Sequence, residues 1–341
     1  MASEAPSGVD PVMWKALLKW SLQQQNDGTH QTEFKAMSAE NKAWLEEVMR
    51  DGVVDLVARA GEIIDMFRGA LASKTSAEGG EQEEGAEDLV ALAEELEDIV
   101  DQIDFAKSLV QIGGVGPLLQ VVQCKAMDAP VRAGVLSVLK TVVQNNPFAQ
   151  DALHQSGALK LFMDLFYDAT DAPSIRTGAL GAISCLVRGH SGLESAFTAP
   201  EGGGVDVLAA CIESSGEDAQ RQTKGLFLLR ALVSSDFSTP ELARRVNDRL
   251  GDRIVELAAN PSPDAGSFSV DLGDKAIEAL TALAASGAAE PLFAGHRTAI
   301  AAARASTQTA SGNQDLSEDE RQATADRLAL WDALLQLAPS E

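Results

Sequence analysis

The chain has 341 residues, a length that fits about two ordinary domains or one elongated one. Apolar residues make up 45% and aromatic ones only 5%, so the core material is chiefly Ala and Leu, which favours helix over a β-sandwich or barrel. Acids outnumber bases 51 to 27, and a formal charge of −24 repels phosphate, which argues against a nucleic-acid or anionic-membrane binder.

Residues 1–36 are expected to form a flexible segment with one short amphipathic helix. Asp10-Pro11 starts that helix, and Trp14, Leu17, Leu18 and Leu22 lie on it at helical spacing. Lys15 and Lys19 are its only charges between Trp14 and Leu22, a basic patch in a strongly acidic chain. The opening residues MASEAPSGVD lack the basic start and apolar stretch of a signal peptide, and no run of 18 apolar residues suggests a membrane span.

Residues 37–71 are expected to be a helical extension. Ser38 caps its start, and Trp44, Leu45, Val48 and Met49, then Val54, Val57, Ile63, Ile64 and Phe67, recur at helical spacing. An acidic linker is expected over 72–87, because TSAEGGEQEEGAED carries neither a base nor a large apolar residue. From Leu89 through Leu92, Leu96, Ile99, Ile103 and Ala106 to Val110, steps of three and four predict a helical face that packs on the repeating segment downstream.

The stretch 88–305 repeats itself. A shift of 44 lays Gly113 on Gly157, Leu118 on Phe162, Arg132 on Arg176, Gly134 on Gly178 and Leu139 on Ile183. A shift of 46 then lays Gly157 on Gly203, Leu180 on Leu226 and Leu186 on Leu232. A weaker fourth copy starts near Gly251, with Ile277, Leu280 and Leu283 in the apolar positions. A helical period of about 44 is the armadillo or HEAT signature, in which each unit buries its apolar face only against its neighbours. The fold class expected is all-α: an armadillo-like right-handed helical solenoid of about four repeats. Residues 306–341 complete it as a polar linker and a C-terminal capping helix. Ser317 and Glu320 form the capping box of that helix, and Leu328, Trp331, Leu334 and Leu335 form its apolar side.

Catalytic chemistry finds no foothold. No phosphate loop, dinucleotide fingerprint or nucleophile elbow occurs. His30, His154, His190 and His296 are scattered without metal-ligand spacing, and His154 and His190 read as helix-end or loop residues. Cys124, Cys185 and Cys211 sit in apolar segments, are odd in number and read as buried structural thiols of a reducing compartment, the cytosol. The twelve carboxylates between Glu78 and Asp104 read as a solvated face plus linker. No enzyme, cofactor or metal is expected.

Several segments resemble a known family: LLKWSLQQQ (17–25), MSAENKAWLEEVM (37–49), IDFAKSLVQIGGVGPLL (103–119), VVQNNPFAQ (142–150) and ALGAISCLVR (179–188). They are similar to the armadillo-type nucleotide exchange factors of the 70-kDa heat-shock chaperone, the Fes-type or heat-shock-70-binding-protein family. The likeness runs from about Leu17 to Leu283, and departs where several relatives carry Asp-Asn-Ala and this chain has Asp104, Phe105 and Ala106. The resemblance implies a monomeric co-chaperone that grips the chaperone's ATPase domain with its concave face, opens the nucleotide cleft and lets ADP and client leave. It implies Ala106 and Lys224 as contact residues, with Arg132, Asn145 and Arg176 joining them by repeat equivalence. The competing readings are a core alanine for Ala106 and local ion pairs or exposed helix for each Arg. Trp14, Leu17, Leu18 and Trp20 are expected to serve as a release segment in the chaperone's substrate groove, or else to pack on helix 38–50. A general armadillo adaptor for an extended peptide is the alternative. The four tryptophans lie outside the repeats, which counts against it.

Overall fold

The computed structural model describes residues 55–75, 86–214, 219–260, 267–313 and 316–340. The chain divides into two compact units, 1–60 and 61–341. Of the first, only 55–60 are described, the start of helix α1 (Leu56–Thr75), where Asp55 Oδ1 accepts the Val57 and Ala58 amides. The release segment, the Ser38 cap and the rest of the 37–54 stretch therefore lie outside the described residues.

In the second unit, α2 (Ala86–Val100) precedes three repeats of three helices each. The first repeat is α3 (Ile103–Gln111), α4 (Val115–Gln123) and α5 (Ala129–Val143). The second is α6 (Pro147–Gln155), α7 (Ala158–Tyr167) and α8 (Pro173–Val187). The third is α9 (Ser191–Thr198), a 3-10 turn, α10 (Gly204–Ile212) and α11 (Ala219–Val233). Then come α12 (Pro240–Ala259), α13 (Ser267–Leu283), α14 (Ala289–Ser311) and α15 (Glu318–Gln336). The armadillo-like all-α reading holds, and no strand occurs among the described residues.

Glycine sets the period. Gly113, Gly157 and Gly203 precede the second helix of each repeat with φ of 76°, 78° and 72°, a left-handed turn that a Cβ would strain. α2 packs on α5, α5 on α8 and α11 on α13 along their length, whereas α8 and α11 touch only slightly. Their Leu, Val and Ile residues are buried, as at Leu136, Leu139, Leu180, Ile183, Leu226 and Leu229. Glycine also permits two close crossings. A Cβ on Gly134 would lie 3.0 Å from Ala93, and one on Gly178 would lie 3.2 Å from Leu136.

A second periodic device ties third helix to second. Arg132 Nε donates to the Val122 carbonyl (2.8 Å), Arg176 Nε to that of Phe166 (3.3 Å) and Gln222 Nε2 to that of Ile212 (3.3 Å). Each reaches ten residues back to the last turn of the preceding helix, where carbonyls have no helical partner.

The fourth repeat departs from the pattern. Its glycine, Gly251, is helical, so the first two helices run together as the 20-residue α12. An arginine ladder on α12 holds it to the third repeat. Arg245 donates to the Thr198 carbonyl, Arg249 forks onto Glu213, and Arg253 reaches the Ile212 carbonyl.

Four boundaries differ from the sequence expectation. The continuous apolar face over 89–110 breaks at Asp101-Gln102, and Ile103 is exposed. Residues 72–75 of the expected linker are the last turn of α1, and 86–87 begin α2. The polar stretch from 306 is helical to Ser311 rather than a linker, since its polar residues lie on the outside of α14. Cys124 and Cys185 are part-exposed, Cys211 is buried, and none of the three forms a disulfide. The Ser317/Glu320 capping box is present, and Trp331 and Leu334 of its helix are buried.

Candidate functional site

The third helices offer one surface per repeat in the same register. On α5 it comprises Ser137, Lys140 and Thr141; on α8, Gly181, Ser184 and Cys185; on α11, Phe227, Arg230 and Ala231, with Lys224 one turn earlier at the register of Gly134 and Gly178. Ser137 and Thr141 both donate to one Glu97 oxygen of α2 (2.8 and 2.9 Å), and Lys140 reaches Ser137 (3.1 Å). At the far side Arg230 pairs with Glu278 of α13, which also takes Lys275 at 3.2 Å. Between them the guanidinium of Arg188, just past the end of α8, lies 4.9 Å from the centre of the Phe227 ring.

The residues expected to contact a partner divide into two groups. Ala106 is 1% exposed and packs inside α3, so it presents no surface, and the core-alanine reading stands. Its repeat equivalent explains the position. Gln150 sits at the matching place in α6 and donates its amide to the carbonyls of Cys185, Leu186 and Arg188 at the end of α8. At the end of α5 that work falls to Asn146, whose side chain donates to the Val142 carbonyl and accepts the Ala149 amide, so an alanine suffices at 106.

Arg132 is likewise structural. It is 3% exposed and locked to Asp171 by both guanidinium nitrogens. Asn145 is exposed but has φ of 52°, and its equivalent Gly189 has 74°. Asparagine is there because the turn after α5 needs a left-handed residue, which Asn tolerates better than most. Arg176 is half-buried on the Phe166 carbonyl. Lys224 is half-buried and has no ion pair among the described residues. Of the three cations among the five, Lys224 and Arg176 keep a side chain directed partly at solvent without a carboxylate on it, and Asn145 is exposed as well.

Sequence reasoning passed over two residues. His190 caps α9: its Nδ1 accepts the Leu193 amide (3.2 Å) while Nε2 lies 3.0 Å from Asp151. Phe227 falls at an aliphatic-rich helix and reads as core, yet it is 45% exposed. The repeat alignment carried the signal for it, since the matching residues are Ser137 and Gly181.

No group of three or more His, Cys, Asp or Glu is placed to hold a metal among the described residues. No single described helix is long and apolar enough to cross a membrane. A cleft of about 520 Å³ between α1 and α4 is lined by Arg68, Leu71, Ala72, Gln120, Gln123 and Cys124, with no convergent catalytic set.

Comparison with known proteins finds a family-level likeness at the front of the chain. Residues 14–109 match the family model of the nucleotide exchange factor Fes1. The matched part ends in α3, so Fes1 likeness at family level reaches only the edge of the repeats. Further likeness comes from individual relatives named Hsp70 nucleotide exchange factor FES1. The one from Saccharomyces cerevisiae is 29% identical over 41% of this chain and 48% of its own length. Those from Eremothecium gossypii and Candida glabrata are each 24% identical, over 52% and 56% of this chain and 59% and 63% of their own lengths. The alignments thus span about half to three-fifths of these Fes1 proteins. Among solved structures, a computationally designed armadillo repeat protein for modular peptide recognition superposes with a TM-score of 0.57. It is 14% identical, covering 82% of this chain and 99% of that one. A second designed armadillo repeat protein gives 0.53 over 79% of this chain and 99% of its own, also at 14% identity. These establish the armadillo-like fold.

Proposed function

We propose that this protein is a co-chaperone that acts as a nucleotide exchange factor for a 70-kDa heat-shock chaperone. The observation that carries the reading is the Fes1 match over residues 14–109, continued by relatives named Hsp70 nucleotide exchange factors. The partner is the chaperone's ATPase domain, and the surface that meets it is the row of third helices, α5, α8 and α11. Lys224 and Arg176 belong to the contact; Ala106, Arg132 and Asn145 support the scaffold behind it. The protein works as a monomer in the cytoplasm, and needs no cofactor.

The physics is differential binding. A protein that binds the open form of the nucleotide cleft better than the ADP-closed form shifts the chaperone toward opening, and the ADP leaves. Linkage makes this reciprocal: ADP weakens binding of the exchange factor by the same factor. The absence of Asn and Trp from α5, α8 and α11 disfavours an extended peptide, whose main chain needs such donors along the row.

Release of a fluorescent ADP analogue from the chaperone, with and without this protein, tests the reading. Acceleration is expected, together with binding to the ATPase domain about tenfold weaker in saturating ADP for each ~1.4 kcal/mol of coupling. Affinity independent of nucleotide, with unchanged ADP release, would remove the proposal.

A further inference from the structure

The seam between α8 and α11 is built differently from the seams at α2/α5 and α5/α8. At the first of those, a Cβ on Gly134 of α5 would lie 3.0 Å from Ala93 of α2. At the second, an added Cβ would lie 3.2 Å from Leu136 at Gly178 and 3.7 Å from Lys140 at Gly181. These positions face the preceding third helix, and their lack of a side chain lets the helices pack along their length. In α11 the registers of Gly178 and Gly181 hold Lys224 and Phe227. Arg221 stands at the register where Val131 and Ile175 are fully buried. These large side chains hold α11 off α8, and the two helices touch only slightly.

Arginines on aromatic rings span the gap in place of aliphatic packing. Arg221 lies 4.6 Å from the centre of the Phe166 ring, and Arg188 lies 4.9 Å from that of Phe227. Such a stack tolerates sliding, because it depends on distance to the ring face and not on one interlocked fit. A cavity of about 40 Å³ remains, lined by Phe166, Pro173, Arg176, Thr177, Leu180 and Arg221, which is room for water. The polar ties follow the same division. Lys125 and Arg132 bind Asp168 and Asp171 across the first and second repeats. Arg230 and Arg249 bind Glu278 and Glu213 across the third and fourth. Between the second and third, Arg176 takes the register of Arg132 but reaches only the Phe166 carbonyl of its own repeat among the described residues. Ala169 takes the register of Lys125.

The chain crosses this seam through α9, and each side holds one end of it. His190 at its start lies 3.0 Å from Asp151 of α6, while the Thr198 carbonyl at its end accepts from Arg245 of α12. Gly189 and Gly203 flank it with φ of 74° and 72°. We infer that the joint between the second and third repeats is a hinge, about which α2–α8 and α10–α15 change angle while each keeps its own shape. A partner that spans both blocks fixes that angle. This last step alone rests on the exchange-factor reading, with the chaperone ATPase domain as the partner.

Paired spin labels on the full chain, with its three cysteines replaced by Ala, read the angle as a distance distribution. Labels at Lys160→Cys and Glu256→Cys span the hinge, and labels at Gln111→Cys and Lys160→Cys span only the first joint; all three positions are exposed. In the free chain the first distribution should be at least about twofold broader than the second. Lys224→Gly with Phe227→Ser restores the residues that α5 has at these registers, and should narrow it to the width of the control. Arg188→Ala with Arg221→Ala removes both stacks, keeps the spacers and should broaden it further. Saturating ATPase domain should narrow it in the chain that keeps Arg188, Arg221, Lys224 and Phe227. Equal widths for the two label pairs in the free chain would overturn the hinge. A width unmoved by Lys224→Gly with Phe227→Ser, at native helicity, would remove those side chains as its cause. A width that stays broad in a chain shown to bind the ATPase domain would refute fixing by the partner. Failure to bind in any nucleotide state would end the exchange-factor reading and leave the hinge, which the free chain decides.

Discussion

Arg132 and Asp171 join consecutive repeats by a two-pronged ion pair, Nη1 to Oδ1 at 2.6 Å and Nη2 to Oδ2 at 2.8 Å, with both side chains more than nine-tenths buried. The third prong, Arg132 Nε, holds the Val122 carbonyl of its own repeat. One residue thus caps α4, begins α5 and fixes the loop before α8. Nearby, Lys125 takes Asp168 at 2.5 Å and Thr170 at 2.9 Å, so the loop 168–172 is held twice by the first repeat.

Removing one partner leaves the other charged and buried. Arg132→Ala or Asp171→Ala is expected to destabilise the protein by about 3–5 kcal/mol in urea unfolding. Replacing both by Met and Leu should recover much of that loss, since an apolar pair of similar volume avoids the desolvation cost. A single-variant loss under about 1 kcal/mol would mean the pair is solvated in solution.

The same pair sets an acid response. Hydrogen bonds from Arg132 hold the Asp171 carboxyl below its usual range, against the opposing effect of burial. A carboxyl depressed in the folded state contributes stability above its unfolded value of about 3.9, and loses it as pH falls through the folded value. The stability difference between the protein and Asp171→Asn should therefore be constant near neutrality and shrink as pH drops below about 4. A difference that grows on acidification would reverse the assignment. Urea midpoints measured across that range decide it.

Asn145 tests a different boundary, between scaffold and contact. Its φ of 52° is the left-handed turn that Gly189 makes in the next repeat. Asn145→Gly should be neutral or stabilising by a few tenths of a kcal/mol, whereas Asn145→Val should cost about 1–2 kcal/mol. Chaperone affinity should be the same for the Gly variant. A loss of affinity without a loss of stability would restore Asn145 to the contact surface.

The repeat period was readable because left-handed glycines and apolar spacing are local, and both recur every 44 to 46 residues in Gly113, Gly157 and Gly203. The site residues were less readable, because their roles depend on partners far along the chain. Asp171 lies 39 residues from Arg132, and DATDAPS reads as an ordinary loop until the fold brings it under that guanidinium. Ala106 read either as a contact or as a core alanine, and what decides its place is the work done by Gln150 in the next repeat and by Asn146 at the end of α5. Fusion of two helices into α12 was hidden for a related reason. Gly251 suits either a turn or a helix, and the arginines that hold α12 straight against the third repeat find their partners 36 to 47 residues back.

The segment before the described residues carries the last expectation. Between Trp14 and Leu22 lie large apolar residues, Leu17, Leu18 and Trp20 among them, with lysines at 15 and 19, the kind of stretch that a 70-kDa chaperone accepts as client. If the protein holds the ATPase domain as proposed, such a tethered segment would meet the substrate groove at high effective concentration and block rebinding of the client. Deleting residues 1–30 should leave ADP release at its normal rate and slow the discharge of a bound fluorescent peptide. Trp14→Ser with Leu18→Ser in the full chain should do the same, which separates loss of the apolar residues from loss of length. Were Trp14 and Leu18 instead packed on helix 38–50, both changes would lower the melting temperature and reduce ADP release and peptide discharge together. That pattern would end the release hypothesis.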